Sequence, residues 1–384
     1  MPLSTLSLSP KLEPALASDH PWVYRNHLPK HSLRTGDWVR VEAGSAHRVG
    51  LYDDGGAIAL RLFSKEQVPD RAFVEARVED ALALREAFTD QEVTNAYRLL
   101  FGEGDFLPGV TVDLYERYAV LQTYAKSVEV IVPDVVKALS KHLKLRGIVQ
   151  KTSNGLDALY GKLPPPELTI KENGLDLIAN LYEGQKTGLF LDHRDNRATL
   201  ERVCEDKTVL NLFSYTGAFS LYAARGGAAQ MTSVDVADAA NRDAERNFAM
   251  NGFSGQEHEF VTADCFDLLE TYAKEKRQFD VVVLDPPSLA RNKKSKFAAL
   301  RAYKKLNALA LRCVKPGGLL ASASCTSQVS PEDFKGVLGD AASSANVRLQ
   351  IVHEAGHAPD HPVPASFPEG RYLKFVMGRS LPGA

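Results

Sequence analysis

The sequence predicts an α/β protein whose C-terminal half is a Rossmann-like, mostly parallel sheet, preceded by two smaller units. One reason is that strand-like apolar runs alternate with helical patterns from about residue 181 onward. Another is the stretch KTVLNLFSYTGAFS, which is typical of a strand, a small-residue turn and a helix in direct succession. The seven predicted strands lie near 208–213, 230–235, 258–262, 279–284, 318–323, 347–353 and 371–378, the last pairing antiparallel.

Two smaller units are predicted before this sheet, so that the expected domains are 1–70, 71–180 and 181–384. The first contains short alternating segments at 38–41 and 57–63 between Gly and Asp turns, which is typical of a small barrel or curled sheet. The second has a mixed α+β pattern. Its predicted elements are helical runs within 72–98, a hairpin over 110–124, a helix over 133–143 and a strand at 147–151.

Composition narrows the function classes. The chain has 384 residues, 44% hydrophobic and 24% charged, with a net charge of -2, so any contact with nucleic acid has to come from local clusters of basic residues. The four cysteines are widely spaced without a zinc pattern, which predicts a reducing compartment and no metal site. No apolar run is long enough for a membrane span and no signal peptide is recognisable, so a cytoplasmic protein without a membrane partner is expected.

The turn after the first strand of the large sheet is the predicted ligand site. In a doubly wound sheet such a turn presents backbone N–H groups to a crevice. A pyrophosphate site would need three glycines, and only Gly217 is present. Asp235 ends the second strand and suits the hydroxyls of a ribose, while Asp264 and Asp285 follow two further strands. Three carboxylates favour a positively charged nucleoside, S-adenosylmethionine, over a dinucleotide. Ordinary polar strand ends are the alternative.

Each strand end is predicted to bind a different part of this cofactor. We expect the turn to line the methionine, Asp235 to bind the ribose, and the third strand end to hold the adenine. The predicted residues are Phe213, Ser214, Thr216 and Gly217 for the methionine, and Asp264 with the backbone of Cys265 and Phe266 for the adenine.

Two short motifs carry residues with reactive side chains. In DPPS, two prolines hold the backbone extended after a buried strand, so that the Asp285 carboxylate is aimed into the crevice. In SCT, Cys325 ends the fifth strand, next to the strand that delivers Asp285, and both side chains are expected to converge on one substrate. A strand-end turn and a buried core cysteine are the alternatives. The remaining cysteines, Cys204, Cys265 and Cys313, are interpreted as structural.

A basic run lies between these motifs, and it contains no acidic residue. Its position at the crevice mouth predicts contact with RNA phosphates. A solvated helix face is the alternative. The basic residues are Arg291, Lys293, Lys294, Lys296, Arg301, Lys304 and Lys305.

Together these motifs resemble the RlmI family of bacterial 23S ribosomal RNA cytosine carbon-5 methyltransferases. The likeness extends through YRLLFGEGDFLPGVTVD, GQKTGLFLDHRDNR and DHPVPASFPEGRYLK, and covers nearly the whole chain. It implies an N-terminal PUA-type RNA-binding barrel, where HPWVY and GDWVRV lie, a mixed central domain, and a class I methyltransferase domain that uses S-adenosylmethionine. RNA is the implied partner, and a homodimer is left open.

The resemblance also implies a reaction. A Cys325 thiolate would add to cytosine carbon-6, Asp285 would serve the ring nitrogen N3, and an unnamed base would remove the carbon-5 proton. Many RNA enzymes of this chemistry have a second cysteine where this chain has Ser288. DPP is also close to the motif of enzymes that methylate exocyclic amines, so methylation of guanine N2 or adenine N6 is the alternative reaction. A nicotinamide dehydrogenase and a non-catalytic RNA-binding homologue are the alternatives from other classes.

Further contacts are implied near the edges of the crevice. The segment KTGLFLDHR is expected to cover the cofactor, although its KTG part could equally serve RNA phosphate. The residues implied for the cofactor are Lys186, Phe190, Asp192 and Arg194, and those for the substrate, with a structural loop as the alternative, are His361, Arg371 and Lys374.

Overall fold

The structure is a computed structural model that describes residues 3–253, 257–290 and 293–383. The chain forms two compact units, and both are discontinuous in sequence. The first unit runs up to Gly174 and also contains Ala179–Leu191 and Pro359–Gly370. The second unit contains Leu175–Ile178, Asp192–Ala358 and the segment from Arg371 onward.

The N-terminal part of the first unit is a five-stranded sheet with strand order β1-β3-β4-β5-β2. In β3, buried and half-buried residues alternate as the sequence pattern predicts. Strand β4 was not predicted, since Arg48 interrupts its apolar pattern, and that side chain is buried with Nε donating to the Leu16 carbonyl (2.9 Å). The elements are β1 (Ser4–Ser7), α1 (Glu13–Ala17), β2 (Trp22–Tyr24), β3 (Trp38–Ala43), β4 (Ala46–Tyr52) and β5 (Ile58–Ser64).

A second five-stranded sheet, with order β10-β9-β8-β7-β6, follows in the same unit. The predicted hairpin is confirmed, and Glu116 at its turn has φ 55°. The predicted helical run is wrong beyond Phe88, because the last residues of that run are buried in the strand Ala96–Phe101. The elements are α2 (Arg71–Phe88), β6 (Ala96–Phe101), β7 (Val110–Tyr115), β8 (Tyr118–Thr123), α3 (Val132–His142), β9 (Gly147–Thr152), β10 (Gly155–Gly161) and β11 (Leu168–Glu172).

The second unit is built on the predicted seven-stranded sheet, with order β15-β14-β13-β16-β17-β19-β18. Its first five strands are parallel, and β19 is antiparallel to both of its neighbours. The elements from the unit boundary onward are β12 (Leu175–Ala179), α4 (Arg194–Glu201), β13 (Thr208–Leu212), α5 (Ala218–Arg225), β14 (Gln230–Asp235), α6 (Asp238–Met250), β15 (His258–Thr262), α7 (Cys265–Glu275), β16 (Phe279–Leu284), α8 (Lys296–Arg312), β17 (Val314–Ser324), α9 (Pro331–Ser344), β18 (Val347–Ala355) and β19 (Lys374–Pro382).

The order of the strands determines where a ligand can lie. Strand β13 has β14 on one side and β16 on the other, so the chain turns in opposite directions on leaving these strands. Such a switch point opens a crevice at the carboxyl ends of parallel strands. The central strand β16 is almost wholly buried, which explains its continuous apolar sequence. The residues that directly follow β13, β14, β16 and β17 therefore share one edge of the sheet.

Candidate active site

The turn between β13 and α5 has an unusual backbone. Phe213, Tyr215 and Gly217 all have positive φ angles, of 58°, 47° and 75°. Left-handed conformations of residues other than glycine cost free energy and are concentrated at functional sites. At Gly217 there is also no room for a side chain, since a Cβ atom there would lie 2.8 Å from the Cβ atom of Ala244. The turn thus packs directly on α6.

Most backbone N–H groups of this turn already have partners inside the protein. Phe213 N donates to Cys265 Sγ (3.3 Å), Ser214 N to the Val234 carbonyl (2.9 Å) and Gly217 N to the Ser214 carbonyl (2.9 Å). The expectation that the turn presents its backbone N–H groups to a ligand is therefore wrong for these three groups. A pyrophosphate would need them, so the geometry agrees with the sequence argument against a dinucleotide.

Two hydroxyl groups of the turn remain for a ligand. Ser214 Oγ and Thr216 Oγ1 are buried and have no hydrogen-bond partner among the described residues. Buried polar groups in native proteins nearly always have a partner, and a bound ligand can supply it. The turn therefore suits the amino and carboxylate groups of a bound methionine moiety.

Asp235 is held rigidly at the end of β14. Its Oδ2 atom accepts from Tyr215 N (2.8 Å) and its Oδ1 atom from Ala237 N (2.9 Å). Each carboxylate oxygen has two lone pairs, so each can still accept from a hydroxyl group of a ribose. The next side chain, Val236, is 72% exposed, which leaves an apolar surface beside the carboxylate for a nucleoside base. Sequence reasoning missed Val236.

Asp264 follows a strand of the sheet, as predicted, and it also caps a helix. Strand β15 ends at Thr262, and Asp264 caps α7, where its Oδ1 atom accepts from Phe266 N (2.8 Å) and Asp267 N (3.1 Å). The backbone N–H group of Phe266 is thus already bound. Burial raises the pKa of the Cys265 thiol to about 12, so this cysteine is an inert core residue as predicted.

Asp285 and Cys325 follow two neighbouring parallel strands, as predicted. Leu284 at the end of β16 pairs with Ser322 of β17, and Cys325 directly follows the last residue of β17. The loops after these strands are tied together by Thr326, whose Oγ1 atom lies 3.2 Å from Leu289 N and 3.3 Å from Ser288 Oγ. Cys325 is half-buried, whereas the other three cysteines are buried.

The buried Tyr303 lies beside the loop that carries Cys325. Its hydroxyl group lies 2.8 Å from Thr326 Oγ1. Burial raises the pKa of Tyr303, hydrogen bonds with Ser324 and Thr326 lower it, and negative charge on Cys325 and on Asp285 raises it again. One phenol is therefore within range of both groups.

Comparison with known proteins identifies the family. The family model for S-adenosylmethionine-dependent methyltransferases matches residues 105–367, and the model for a PUA-like domain matches residues 6–65. The chain belongs to the S-adenosylmethionine-dependent methyltransferase family. Its cofactor is accordingly S-adenosylmethionine, and the predicted family, fold class and cofactor are confirmed.

Similar proteins match over nearly the full length of this methyltransferase. Two are named Ribosomal RNA large subunit methyltransferase I. The relative from Alteromonas mediterranea is 38% identical over 96% of this chain and 97% of its own, and the one from Shewanella amazonensis is 37% identical over 97% and 98%. A solved methyltransferase complexed with SAH is 27% identical, with a TM-score of 0.90 over 98% of this chain and 100% of its own. A SAM-dependent methyltransferase from Streptococcus mutans is 25% identical, with a TM-score of 0.88 and the same coverage, 98% and 100%.

A buried histidine of the methyltransferase faces Asp285, and sequence reasoning missed it. His193 Nε2 lies 3.4 Å from Asp285 Oδ2. The Asn196 side-chain nitrogen donates to the Gly356 carbonyl (3.0 Å) and lies 3.0 Å from His193 Nδ1, so this ring nitrogen accepts and the proton lies on Nε2. The histidine thus donates toward the carboxylate. The position of His193 inside the motif LDHR is the sequence feature that could have indicated its role.

Lys374 is buried beside the Cys325 loop of the methyltransferase. Its Nζ atom donates to the carbonyl groups of Thr326 (2.7 Å) and Tyr372 (2.8 Å). Burial lowers the pKa of Lys374 to about 8, and negative charge on Cys325 and Asp333 opposes this lowering.

The other two predicted substrate contacts differ from each other. Arg371 is exposed. His361 is buried in the first unit, with Nδ1 3.0 Å from Asp360 Oδ1, which favours the structural alternative.

The segment expected to cover the cofactor is divided between the two units. Lys186 is exposed, with its Nζ atom 4.4 Å from the centre of the Phe190 ring, and both belong to the first unit. Asp192 and Arg194 are buried in the second unit, where Asp192 Oδ2 accepts from the Tyr372 hydroxyl (2.6 Å). The role of all four residues in cofactor binding remains a prediction.

The basic run is less positive than its sequence indicates, because some of its lysines pair with acids on α7 and α9. Lys294 and Arg301 are exposed. Arg291 and the side chain of Lys293 lie outside the described residues. The paired lysines are Lys296 with Asp333 (2.6 Å), Lys304 with Asp340 (3.7 Å) and Lys305 with Glu270 (2.7 Å).

Two further observations concern the chain as a whole. Cys204 and Cys313 are buried, and burial raises the pKa of their thiols to about 12 and about 11. Cys325 thus differs from the other three cysteines in being accessible. In the part of the chain that is described, no helix is long and apolar enough to cross a membrane.

Proposed function

We propose that this methyltransferase forms 5-methylcytosine in 23S ribosomal RNA through a covalent adduct between Cys325 and cytosine carbon-6. The observation that carries the proposal is the joining of the Asp285 and Cys325 loops through Thr326 at the carboxyl edge of the sheet. Relatives named Ribosomal RNA large subunit methyltransferase I support ribosomal RNA as the substrate, and so does the PUA-like domain at residues 6–65.

The cysteine is needed because carbon-5 of cytosine is a poor nucleophile. When the thiolate bonds to carbon-6, the carbon-5 to carbon-6 double bond breaks and electron density moves toward N3. Asp285 in its protonated form provides the proton that N3 takes up, and His193 Nε2 lies 3.4 Å from its Oδ2 atom. When carbon-5 attacks the methyl group, N3 returns this proton to Asp285. A base then removes the carbon-5 proton, so that the carbon–sulfur bond breaks and the thiolate is released.

The cofactor site is proposed around the turn at 213–217. Bound S-adenosylmethionine supplies an electrophilic methyl group to this reaction. Ser214 and Thr216 bind the methionine part through their hydroxyl groups, which have no partner among the described residues. Asp235 binds the ribose, and Val236 covers one face of the adenine. Phe213 and Gly217 shape the turn, and Asp264, Cys265 and Phe266 form the far side of the adenine site.

The RNA is proposed to approach with its target base out of the stack, since neither carbon-5 nor carbon-6 can be reached within a helix. The exposed Lys294 and Arg301 lie on the segment that follows Asp285 and are suited to phosphates. We further propose that the domains divide at about residues 70 and 180, and that the protein works in the cytoplasm, where ribosomal RNA is made.

The proposal is tested with RNA that contains 5-fluorocytidine. A base cannot remove fluorine from carbon-5 in the way that it removes a proton, so the carbon–sulfur bond does not break and the enzyme remains bound to its substrate. With S-adenosylmethionine present, the wild-type protein is expected to form an adduct that survives denaturing electrophoresis, and Cys325→Ala is expected to form none. Isothermal titration with S-adenosylmethionine serves as the folding control, because Cys325 is not part of the proposed cofactor site.

Two other results would replace the proposal. If wild-type protein methylates RNA and never forms the adduct, methylation of an exocyclic amine, to which the DPP motif is also suited, becomes the better interpretation. If the protein binds RNA and does not bind S-adenosylmethionine, it is a non-catalytic homologue.

A further inference from the structure

Lys374 contacts the residues that precede and follow Cys325 in the sequence. Its Cα atom pairs with that of Ser324 where β19 and β17 run antiparallel, and its Nζ atom donates to the carbonyl of Thr326 at 2.7 Å. The residue before Cys325 and the residue after it therefore both contact this one lysine. The lysine side chain is buried, so it is shielded from water beside this turn.

The hydrogen bonds of Lys374 favour its charged form. An ammonium group has three N–H donors and no acceptor, and two of the donors are taken by the carbonyl groups of Thr326 and Tyr372. Both partners are pure acceptors, which the ammonium satisfies, and a third donor remains. A positive charge in a buried position acts more strongly on a nearby group than it does in water.

In the part of the chain that the structure describes, charged groups from α8, α9 and the Asp285 loop lie near the pair. Cys325 and Asp333 are the negative groups that act on Lys374, and Asp333 is already paired with Lys296 at 2.6 Å. Tyr303, whose phenol burial keeps neutral, interacts with both Cys325 and Asp285, and His193 lies against Asp285. Lys296 is paired with Asp333, and Lys374 is the cation in this set that interacts with Cys325.

We propose that Lys374 is a positioning residue that stabilises Cys325 as a thiolate and holds it in place for attack. The role of Lys374 in catalysis rests on the proposed function. Its effect on the ionisation of the Cys325 thiol does not depend on RNA. The lysine keeps its proton throughout. The thiolate forms the bond to carbon-6, N3 receives a proton from Asp285, and the thiolate returns to the ammonium when the carbon–sulfur bond breaks.

The pH dependence follows from the lysine. Its pKa is about 8, so the ammonium is present below that pH and is lost as the pH rises through it. The stabilisation of the thiolate is therefore present at neutral pH, where an ordinary thiol, with a pKa of about 8.5, is mostly protonated.

The test is the pH dependence of alkylation of the full-length protein by iodoacetamide, without RNA. Cys204, Cys265 and Cys313 are buried with raised pKa values, so alkylation of the folded protein reports on Cys325, and Cys325→Ala provides the blank. In Lys374→Met and Lys374→Gln we expect the midpoint of the rate profile to rise by about one pH unit or more. Lys335→Met, which removes a half-buried lysine of the same unit that pairs with Glu354, is expected to leave the midpoint unchanged.

Glutamine separates charge from hydrogen bonding, because it can still donate to a carbonyl and carries no charge. An unchanged midpoint in either neutral variant, with binding of S-adenosylmethionine retained, would overturn the proposal. A shifted midpoint together with no adduct on 5-fluorocytidine RNA would leave the lysine's role standing and reject the proposed reaction.

A reciprocal measurement covers the case in which a buried-lysine variant does not fold. The coupling between two titrating groups is mutual, so removing the thiol has to lower the pKa of the lysine. In protein with ¹³C-labelled lysine, one ε-carbon resonance is expected to titrate near pH 8, and its midpoint is expected to fall in Cys325→Ala. The same midpoint in both proteins would show that the two groups do not interact.

Discussion

The Asp285 carboxylate is oriented by a histidine that is itself fixed on every side. His193 receives a hydrogen bond from Asn196 at 3.0 Å and packs against the rings of Phe219 and Phe375, at 5.3 Å and 6.2 Å between centroids. The ring cannot turn without losing these contacts. Because His193 Nε2 contacts one carboxylate oxygen of Asp285, the other oxygen is left for the substrate.

Removing the histidine is expected to slow the reaction without affecting the cofactor. In His193→Ala the carboxylate can rotate, and misplacement of a reacting group by about 1 Å can cost on the order of a hundredfold in rate. We therefore expect kcat for methyl transfer to RNA to fall by about that factor, with the Kd for S-adenosylmethionine within about twofold of wild type. His353→Ala, which removes another histidine beside Phe375, is the matched control and is expected to keep its activity. Full activity of His193→Ala would show that Asp285 needs no such support.

At the scale of elements, the turn between β13 and α5 is held by its contact with α6. Asn247 of α6 donates to the Thr216 carbonyl at 2.9 Å, and the Cα hydrogen of Gly217 faces Ala244. The turn and the helix are thus one packed body, and the buried hydroxyl groups of the turn keep their position because the helix keeps its own.

A matched pair of glycine substitutions tests this contact. Gly217 and Gly252 have nearly equal φ angles, 75° and 77°, but an added Cβ atom meets Ala244 at Gly217 and meets nothing within 4 Å at Gly252. The backbone cost of alanine, about 1 kcal/mol, is common to both. We expect Gly217→Ala to lower Tm further than Gly252→Ala and to weaken binding of S-adenosylmethionine at least about tenfold, or 1.4 kcal/mol. Equal losses of binding in the two variants would rule out the packing argument.

The elements that were predictable from the sequence are those whose patterns are local. The bounds of β14 and β16 follow from apolar runs between turns, because parallel strands inside a sheet are buried on both faces. The bounds of the half-buried edge strand β15 also agree with the prediction. Strands β4 and β6 were not predicted, since each contains an arginine, Arg48 or Arg98, whose burial depends on distant partners. The same distinction holds in the site. Asp285 and Cys325 were recognisable as strand ends, whereas the contact of His193 with Asp285 and that of Lys374 with Thr326 arise only from tertiary packing.

At the scale of the whole molecule, the first unit is completed by a segment from near the C-terminus. Arg85 of α2 is fully buried and donates to Asp105 Oδ1 (2.6 Å), Asp105 Oδ2 (2.8 Å), the Arg98 carbonyl (2.9 Å) and the Asp360 carbonyl (2.7 Å). Asp360 in turn accepts from Arg98 N at 2.9 Å. The unit therefore cannot reach its full stability until residues 359–370 have been added to it.

Substitution of Arg85 is expected to destabilise the first unit strongly. Removing one partner of a buried ion pair leaves the other charge uncompensated, at a cost of about 3–5 kcal/mol. Arg77→Met on the same helix is the control, because Arg77 pairs with the exposed Asp80 at 3.0 Å and such surface pairs contribute about 1 kcal/mol or less.

Both tryptophans of the chain, Trp22 and Trp38, belong to the first unit, so their fluorescence during urea denaturation follows that unit alone. We expect the midpoint to fall far more in Arg85→Met than in Arg77→Met, and to recover in part in the double variant Arg85→Met with Asp105→Leu, where no charge is left unpaired. Equal midpoints for the two single variants would mean that the buried network does not stabilise the unit.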